Sequence, residues 1–331
     1  MKIFQYTLFL LILSISSTFA QAPDQLYSQF YAAPLQLNPG FTGTTYGPSI
    51  HLNFRKQWPA FERGYTSYGA SFSQFAEQLN SGFGLQIFSD DAAGILKTLN
   101  ISGLYSYNVK VNDELNLKLG AEVGLIQKQL AWEKLVFYDQ LDPLLGPIKA
   151  TSEIAPESLT KRYLDISSGI LVYGTSYYAG LSIKHLNTPD ESFQGIKTNL
   201  NNGLPARFNL HGGTEIILEE ETAKKPGKYI SPNFMLAWQG PYKQLNVGTY
   251  VGMGTLFAGG WFRHTFGNPD AVILLVGMKK GIIKFGYSYD ITVSKLSSSF
   301  TGGSHEISLQ FNFDANRKRD TDYRDCFKMF R

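Results

Sequence analysis

Apolar and polar side chains alternate along most of this chain with a period of two. Ile50, Leu52 and Phe54 interleave with His51, Asn53 and Arg55; Leu115, Leu117, Leu119, Ala121 and Val123 with Asn116, Lys118, Gly120 and Glu122; Ile307, Leu309, Phe311 and Phe313 with Ser308, Gln310 and Asn312. Successive side chains of a strand point to opposite faces, so each apolar set lies on one face. Such blocks predict strands near 46–56, 65–73, 82–89, 95–107, 115–126, 162–173, 177–185, 205–217, 230–239, 244–253, 257–265, 271–279, 282–292 and 304–313. The chain reads as all-β, with about fourteen strands.

Residues 1–20 read differently, as a secretory signal. Lys2 gives the positive start, residues 8–15 form an apolar core, and Ser16, Ser17, Thr18 and Ala20 offer small residues for cleavage after Ala20. The apolar run is too short to cross ~30 Å of hydrocarbon as a helix, and no Cys stands at the cleavage point to carry a lipid.

Two architectures suit an exported all-strand chain, a soluble sandwich or propeller and a transmembrane antiparallel outer-membrane β-barrel. Three features favour the barrel. The strand count is even, as expected of a single-chain bacterial barrel. If the first strand runs outward, the longest connections, 127–161 and 186–204, both fall outside, while the tight turns at Gly174-Thr175-Ser176 and Lys280-Gly281 fall inside. The last strand alternates without a break and closes on Phe313. A closed barrel also satisfies every backbone N–H and C=O within lipid, which no open sheet can do. The expected division is a signal over 1–20, a plug-like periplasmic segment over 21–44 packing at the inner mouth, a barrel over 45–313 and a periplasmic tail over 314–331. Location in the outer membrane with both termini periplasmic follows. Apolar residues are expected to face lipid and polar or small ones the lumen, with Trp58, Tyr105, Tyr107, Tyr177, Trp238, Trp261, Phe262, Tyr287 and Tyr289 supplying interfacial girdles.

Composition narrows the function. Charged residues are 17% of the 331, Gly reaches 32, Tyr 19 and Phe 24, which excludes a disordered or coiled-coil chain. The single Cys excludes a disulfide framework and any Cys-clustered metal site. A net charge of +3 spread over 30 basic and 27 acidic residues gives no footprint for nucleic acid. The five His residues show no HExxH spacing and no G-x-S-x-G elbow occurs. His211-Gly212-Gly213 looks like part of an oxyanion-hole motif but falls inside strand alternation. The chain therefore reads as a non-enzyme with no catalytic residue, cofactor or metal.

Candidate contact residues lie outside the strands. In the N-terminal segment, Leu35, Asn38 and Pro39 are candidates for binding a partner. In the tail, Arg317, Lys318 and Arg319 supply charge, and Tyr323, Phe327 and Phe330 supply apolar anchors for a docking peptide. Cys326 is a lone thiol there. The outer connections at 132–138 and 188–201 are candidate external surfaces; the first is apolar for a loop and reads as a lid, a plug or a hidden hairpin that would add two strands. His51, Asn53, Arg55, Lys118, Glu122, Asn209 and His211 face the lumen, where they either line a channel or pair to seal it.

Short motifs in order also resemble a known family. Asp24-Gln25-Leu26-Tyr27-Ser28-Gln29-Phe30-Tyr31, followed by residues 34–43 with Asn38-Pro39-Gly40, is similar to the N-terminal signature of the PorP/SprF family of type IX secretion and gliding-motility proteins. Arg55-Lys56-Gln57-Trp58-Pro59, residues 82–91, residues 163–189, Gly286-Tyr287-Ser288-Tyr289-Asp290 and Gly302-Gly303-Ser304-His305 continue the resemblance. It implies a non-enzymatic outer-membrane barrel that supports export of surface adhesins and holds their C-terminal domains, or links translocon components to periplasmic and peptidoglycan-associated lipoproteins. The tail after the last strand departs from that pattern. Alternatives are a porin-like channel and, less favoured, an outer-membrane hydrolase.

Overall fold

The computed structural model describes residues 23–45, 47–112, 115–193, 203–220, 227–294 and 298–313. Fourteen antiparallel strands run in chain order: β1 (Ser49–Gln57), β2 (Tyr65–Ala76), β3 (Ser81–Ala92), β4 (Leu96–Lys110), β5 (Asn116–Leu130), β6 (Thr160–Tyr173) and β7 (Tyr177–Lys184). They continue as β8 (Arg207–Thr214, extended past Glu215 by Ile216–Glu219), β9 (Lys228–Gln239), β10 (Tyr242–Met253), β11 (Leu256–Thr265), β12 (Asn268–Lys280), β13 (Ile283–Thr292) and β14 (Ser304–Asn312). Each pairs with its sequence neighbours, and β1 pairs with β14 from Ser49↔Asn312 to Gln57↔Ser304, so the sheet closes on itself. Closure removes both sheet edges.

The predicted strands reappear with boundary shifts of a few residues. The apolar connection after β5 contributes no stave: a two-residue hairpin, Leu141–Asp142 against Gly146–Pro147, forms within it and pairs only with itself. Connections alternate as expected, with 131–159 and 185–206 at one mouth and the turns after β2, β4, β6, β10 and β12 at the other. The two ends are called the long-loop mouth and the short-turn mouth.

Alternation sorts the two faces of the wall. Leu85, Ile87, Ile101, Val123, Leu125, Leu164 and Val276 stand exposed on the outside, while Ser102, Ser106, Lys118, Ser182, Asn209 and Asn246 are buried inside. Tyr105, Tyr107, Tyr177, Trp238 and Phe262 point outward as girdle residues would. Trp261 does not. It is buried in the lumen, because its neighbour Phe262 takes the outer face and adjacent strand residues cannot share one. The lumen is also apolar on one sector, where Tyr250, Phe257, Ala271, Ile273 and Leu275 of β10–β12 point inward and are buried. An inner face of this kind needs an apolar occupant.

Candidate functional site

Residues 23–45 supply that occupant. A 3-10 turn (Phe30–Ala32), a short helix (Pro34–Leu37) and a second 3-10 turn (Pro39–Phe41) form a segment whose side chains are almost all buried inside the barrel. Tyr31 stacks on Trp261 at 5.5 Å and lies 5.9 Å from Tyr250; Phe41 stacks on His211 at 5.3 Å. Tyr27, Phe30, Leu35 and Leu37 are each under 5% exposed. Burying a large apolar side chain is worth ~1.5–3 kcal/mol, so this face alone holds the segment firmly.

The segment has little regular structure, and its carbonyls need donors from elsewhere. The wall provides them. His51 Nδ1 donates to Ala32 O at 3.2 Å, Ser182 Oγ to Leu37 O at 2.6 Å, Ser106 Oγ to Thr42 O at 2.6 Å, and Lys118 Nζ to Thr42 O and Gly43 O at 2.6 and 2.8 Å. Asn38 is the most engaged residue. Its Oδ1 accepts from Gly40 N at 2.8 Å, and its Nδ2 donates to Ile170 O at 3.0 Å and lies 3.1 Å from His211 Nε2. The turn rests on Gly120 of β5 and Gly169 of β6, which are register partners. A Cβ on Gly120 would stand 2.3 Å from Gly40 N, and one on Gly169 would stand 2.0 Å from Asn38 Oδ1. At Gly120 the approach is backbone on backbone, and at Gly169 it is the Asn38 amide, so a side chain at either position would displace the turn.

A charged cluster fixes the middle of the segment. Arg55 of β1 pairs with Glu306 of β14 and lies 3.3 Å from Asp290 of β13, which Arg263 of β11 approaches to 3.0 Å. Ser28 Oγ donates to Asp290 Oδ2 at 2.6 Å, and Ser28 N and Gln29 N donate to the two Glu306 carboxylate oxygens at 2.7 and 2.8 Å. Glu122 pairs with Lys184 across the wall.

The entry point is Asp24. Its Oδ2 lies 2.6 Å from His185 Nε2 and accepts from Arg207 Nη1 at 2.9 Å; its backbone N donates to Gln239 Oε1 at 2.9 Å, and His185 Nδ1 is 2.8 Å from Asp165. Burial disfavours charge on both groups, but His185 and Arg207 hold the Asp24 carboxyl well below its ordinary range. Asp24 and Asp165 likewise override burial and raise His185 to about 9. His185, Arg207 and Gln239 sit at the long-loop ends of β7, β8 and β9. The segment therefore enters at the long-loop mouth, crosses the lumen and turns into β1 at the short-turn mouth, where Phe313 N donates to Pro48 O at 3.1 Å. Residues 23–45 thus run through the lumen and do not pack only at the inner mouth, with residue 24 and the end of β14 at opposite mouths. Strand parity locates the start of β1 only; a strand rises ~3.3 Å per residue, and the stretch before β1 has ample length to cross the lumen.

Of the predicted contact residues, Leu35, Asn38 and Pro39 are buried and spend their contacts on the barrel wall. Arg317, Lys318, Arg319, Tyr323, Phe327, Phe330 and Cys326 lie outside the described residues, as does part of the connection at 188–201. His51, Arg55, Lys118, Asn209 and His211 neither line an open channel nor only pair with one another; they bond the inserted segment. His211-Gly212-Gly213 lies within β8, with His211 fully buried. Sequence reasoning missed Asp24, Ser28, His185, Asp290 and Glu306. One signal was available: 271–276 is apolar on both strand faces, which a water-filled lumen would not require.

Between the inserted segment and the wall of β2–β8, a cavity of about 170 Å³ opens toward the long-loop mouth. It is lined by apolar Phe88, Leu96 and Ile126 and by charged groups including Asp90, Lys128 and Arg207.

The family model described as "Type IX secretion system membrane protein PorP/SprF" matches residues 19–311. No curated protein matches. Among solved structures, the chain is similar to the CymD monoaromatic hydrocarbon channel (13% identity, TM-score 0.44, covering 86% of this chain and 94% of that one). It is also similar to the Acinetobacter baumannii outer membrane protein Omp33 (8% identity, TM-score 0.41, 82% and 100% covered). A Rhodopseudomonas blastica porin triple mutant gives 8% identity and a TM-score of 0.33, with 81% and 99% covered. With its closed fourteen-strand wall and a family match spanning nearly the whole chain, this protein is an outer-membrane β-barrel that belongs to the PorP/SprF family of type IX secretion system membrane proteins.

Proposed function

We propose that this barrel serves type IX secretion as a sealed docking scaffold: it binds or anchors a secreted surface protein, such as the C-terminal domain of an adhesin, at the long-loop mouth. At the short-turn mouth and through residues 314–331 it links to periplasmic machinery lipoproteins. The observation that carries the reading is the lumen filled by residues 23–45, which suits a scaffold and not a conduit. Long loops face the outside in barrels of this class, so the long-loop mouth is taken as the cell-surface end. The loop over 131–159 supports docking there. Tyr138 and Leu144 are each 92% exposed and Ile154 is 89% exposed, an apolar display that a merely solvated loop does not need.

Two measurements test the proposal. Crosslinked co-purification in mild detergent is expected to recover a secreted surface protein and a periplasmic lipoprotein with the barrel. Planar-bilayer recording is expected to find the barrel electrically silent. A large steady conductance, together with empty crosslinks, would replace the scaffold with a channel.

A further inference from the structure

The charges lining the cavity at the long-loop mouth are paired, with one exception. Arg207 and His185 hold Asp24, Lys184 holds Glu122, and Lys128 holds Glu191. Asp90 of β3 has no cation against it among the described residues; its Oδ1 accepts from Ser67 Oγ at 2.6 Å. Two further acceptors line the same cavity. Gln86 Oε1 and Asn100 Oδ1 are buried and receive no hydrogen bond, and Gln86 is only 6% exposed. The register puts Asn100 of β4 diagonally across from Asp90 of β3, with Asp90 opposite Thr98 and Phe88 opposite Asn100, while Gln86 lies four residues back along β3, ~13 Å deeper in the lumen. On the far wall, Arg207 Nε is a buried donor with no partner. Leaving such atoms unpaired costs free energy that a ligand supplying the missing groups recovers.

We infer that this corner receives an organic cation, the ammonium or guanidinium of a lysine or arginine side chain presented by a docking partner. Asp90 and Asn100 Oδ1 supply charge and an acceptor for its N–H groups, Gln86 Oε1 is a further acceptor deeper in the cavity, and the orphaned Arg207 Nε–H suits a carbonyl of the same peptide. Phe88, Tyr65, Leu96 and Ile126 line the cavity and fit the methylene stem, with an aromatic face available to a guanidinium. The volume favours this occupant over a bare metal ion, which would leave the apolar walls uncovered. The assignment of the cation to a partner rests on the docking proposal; the site itself does not.

The test uses the full barrel in lipid nanodiscs, with Nα-acetyl-arginine amide as the probe and Nα-acetyl-citrulline amide as its uncharged counterpart, read by saturation-transfer NMR. The arginine probe is expected to saturate at least tenfold more tightly than the citrulline probe. Asp90→Asn is expected to weaken it about tenfold while the barrel keeps its heat-modifiable mobility on gels. Equal binding of the two probes would overturn the inference, as would an Asp90→Asn barrel that binds as well as the parent. Displacement of the arginine probe by micromolar calcium would overturn it in favour of a metal site. Should Asp90→Asn not fold, the two-probe comparison on the parent protein decides. Because no partner is present, probe binding with failed co-purification indicts the docking proposal alone, and the converse indicts this site alone.

Discussion

Gly120 offers a test of the inserted segment that leaves the segment itself unaltered. A methyl group there would meet Gly40 N and Pro39 C at 2.3 Å, whereas ordinary contact begins at 3.4 Å, so the Asn38–Gly40 turn must retreat by about 1 Å. Retreat strains the Asn38 bonds to Gly40 N and Ile170 O. Overpacking of this size costs ~1–3 kcal/mol. If the strain falls on the inserted state alone, the population with an open lumen rises roughly 5- to 150-fold. Gly120→Ala is expected to produce transient openings in planar bilayers, where the parent is silent, and faster proteolysis of residues 23–45. Gly120→Val should exaggerate both effects. Gly103→Ala is the control, because a Cβ at Gly103 meets nothing within 4 Å. Silence and proteolysis of Gly120→Ala indistinguishable from those of Gly103→Ala would refute the claim that wall glycines seat the segment.

Four further outcomes are expected. Arg55→Met leaves the buried carboxylates of Glu306 and Asp290 short of a cation; loss of one partner of a buried pair costs ~3–5 kcal/mol, seen as a lower urea midpoint in detergent, and an unchanged midpoint would count against the cluster. The His185 pKa is raised to about 9 in the fold, so its contribution is complete below the free value of 6.5 and is lost as pH rises through about 9. Protease sensitivity of residues near Asp24 should therefore climb between pH 7 and 10, and His185→Gln should remove that dependence; a flat profile in the parent would refute the anchoring role. In a Cys326→Ser background, Pro23→Cys should react with an impermeant maleimide on intact cells while Phe313→Cys should not, and the reverse labelling would invert the proposed orientation. Deleting 314–331 should leave the barrel inserted but weaken capture of a periplasmic lipoprotein; capture at parental strength would remove the tail from the docking surfaces.

The sequence by itself determined the wall. Alternation within β1, β5 and β14 decides which side chains face out, and the parity of long and short connections decides which strand ends share a mouth, because both depend only on neighbours along the chain. The tertiary structure alone decided what fills the lumen. A polar inward position such as His51 or Lys118 reads the same whether it meets water, an ion of opposite charge or a carbonyl of residues 32–43, since period two encodes a face and not its occupant. Trp261 and Phe262 are equally aromatic and must take opposite faces; that Trp261 is the inner one shows in its contacts with Tyr31 and Tyr250, which the sequence does not display. Asp24 and His185 are 161 residues apart in the chain, a separation that no local pattern spans. Closing the barrel brought them together and left Gln86, Asp90 and Asn100 facing a cavity.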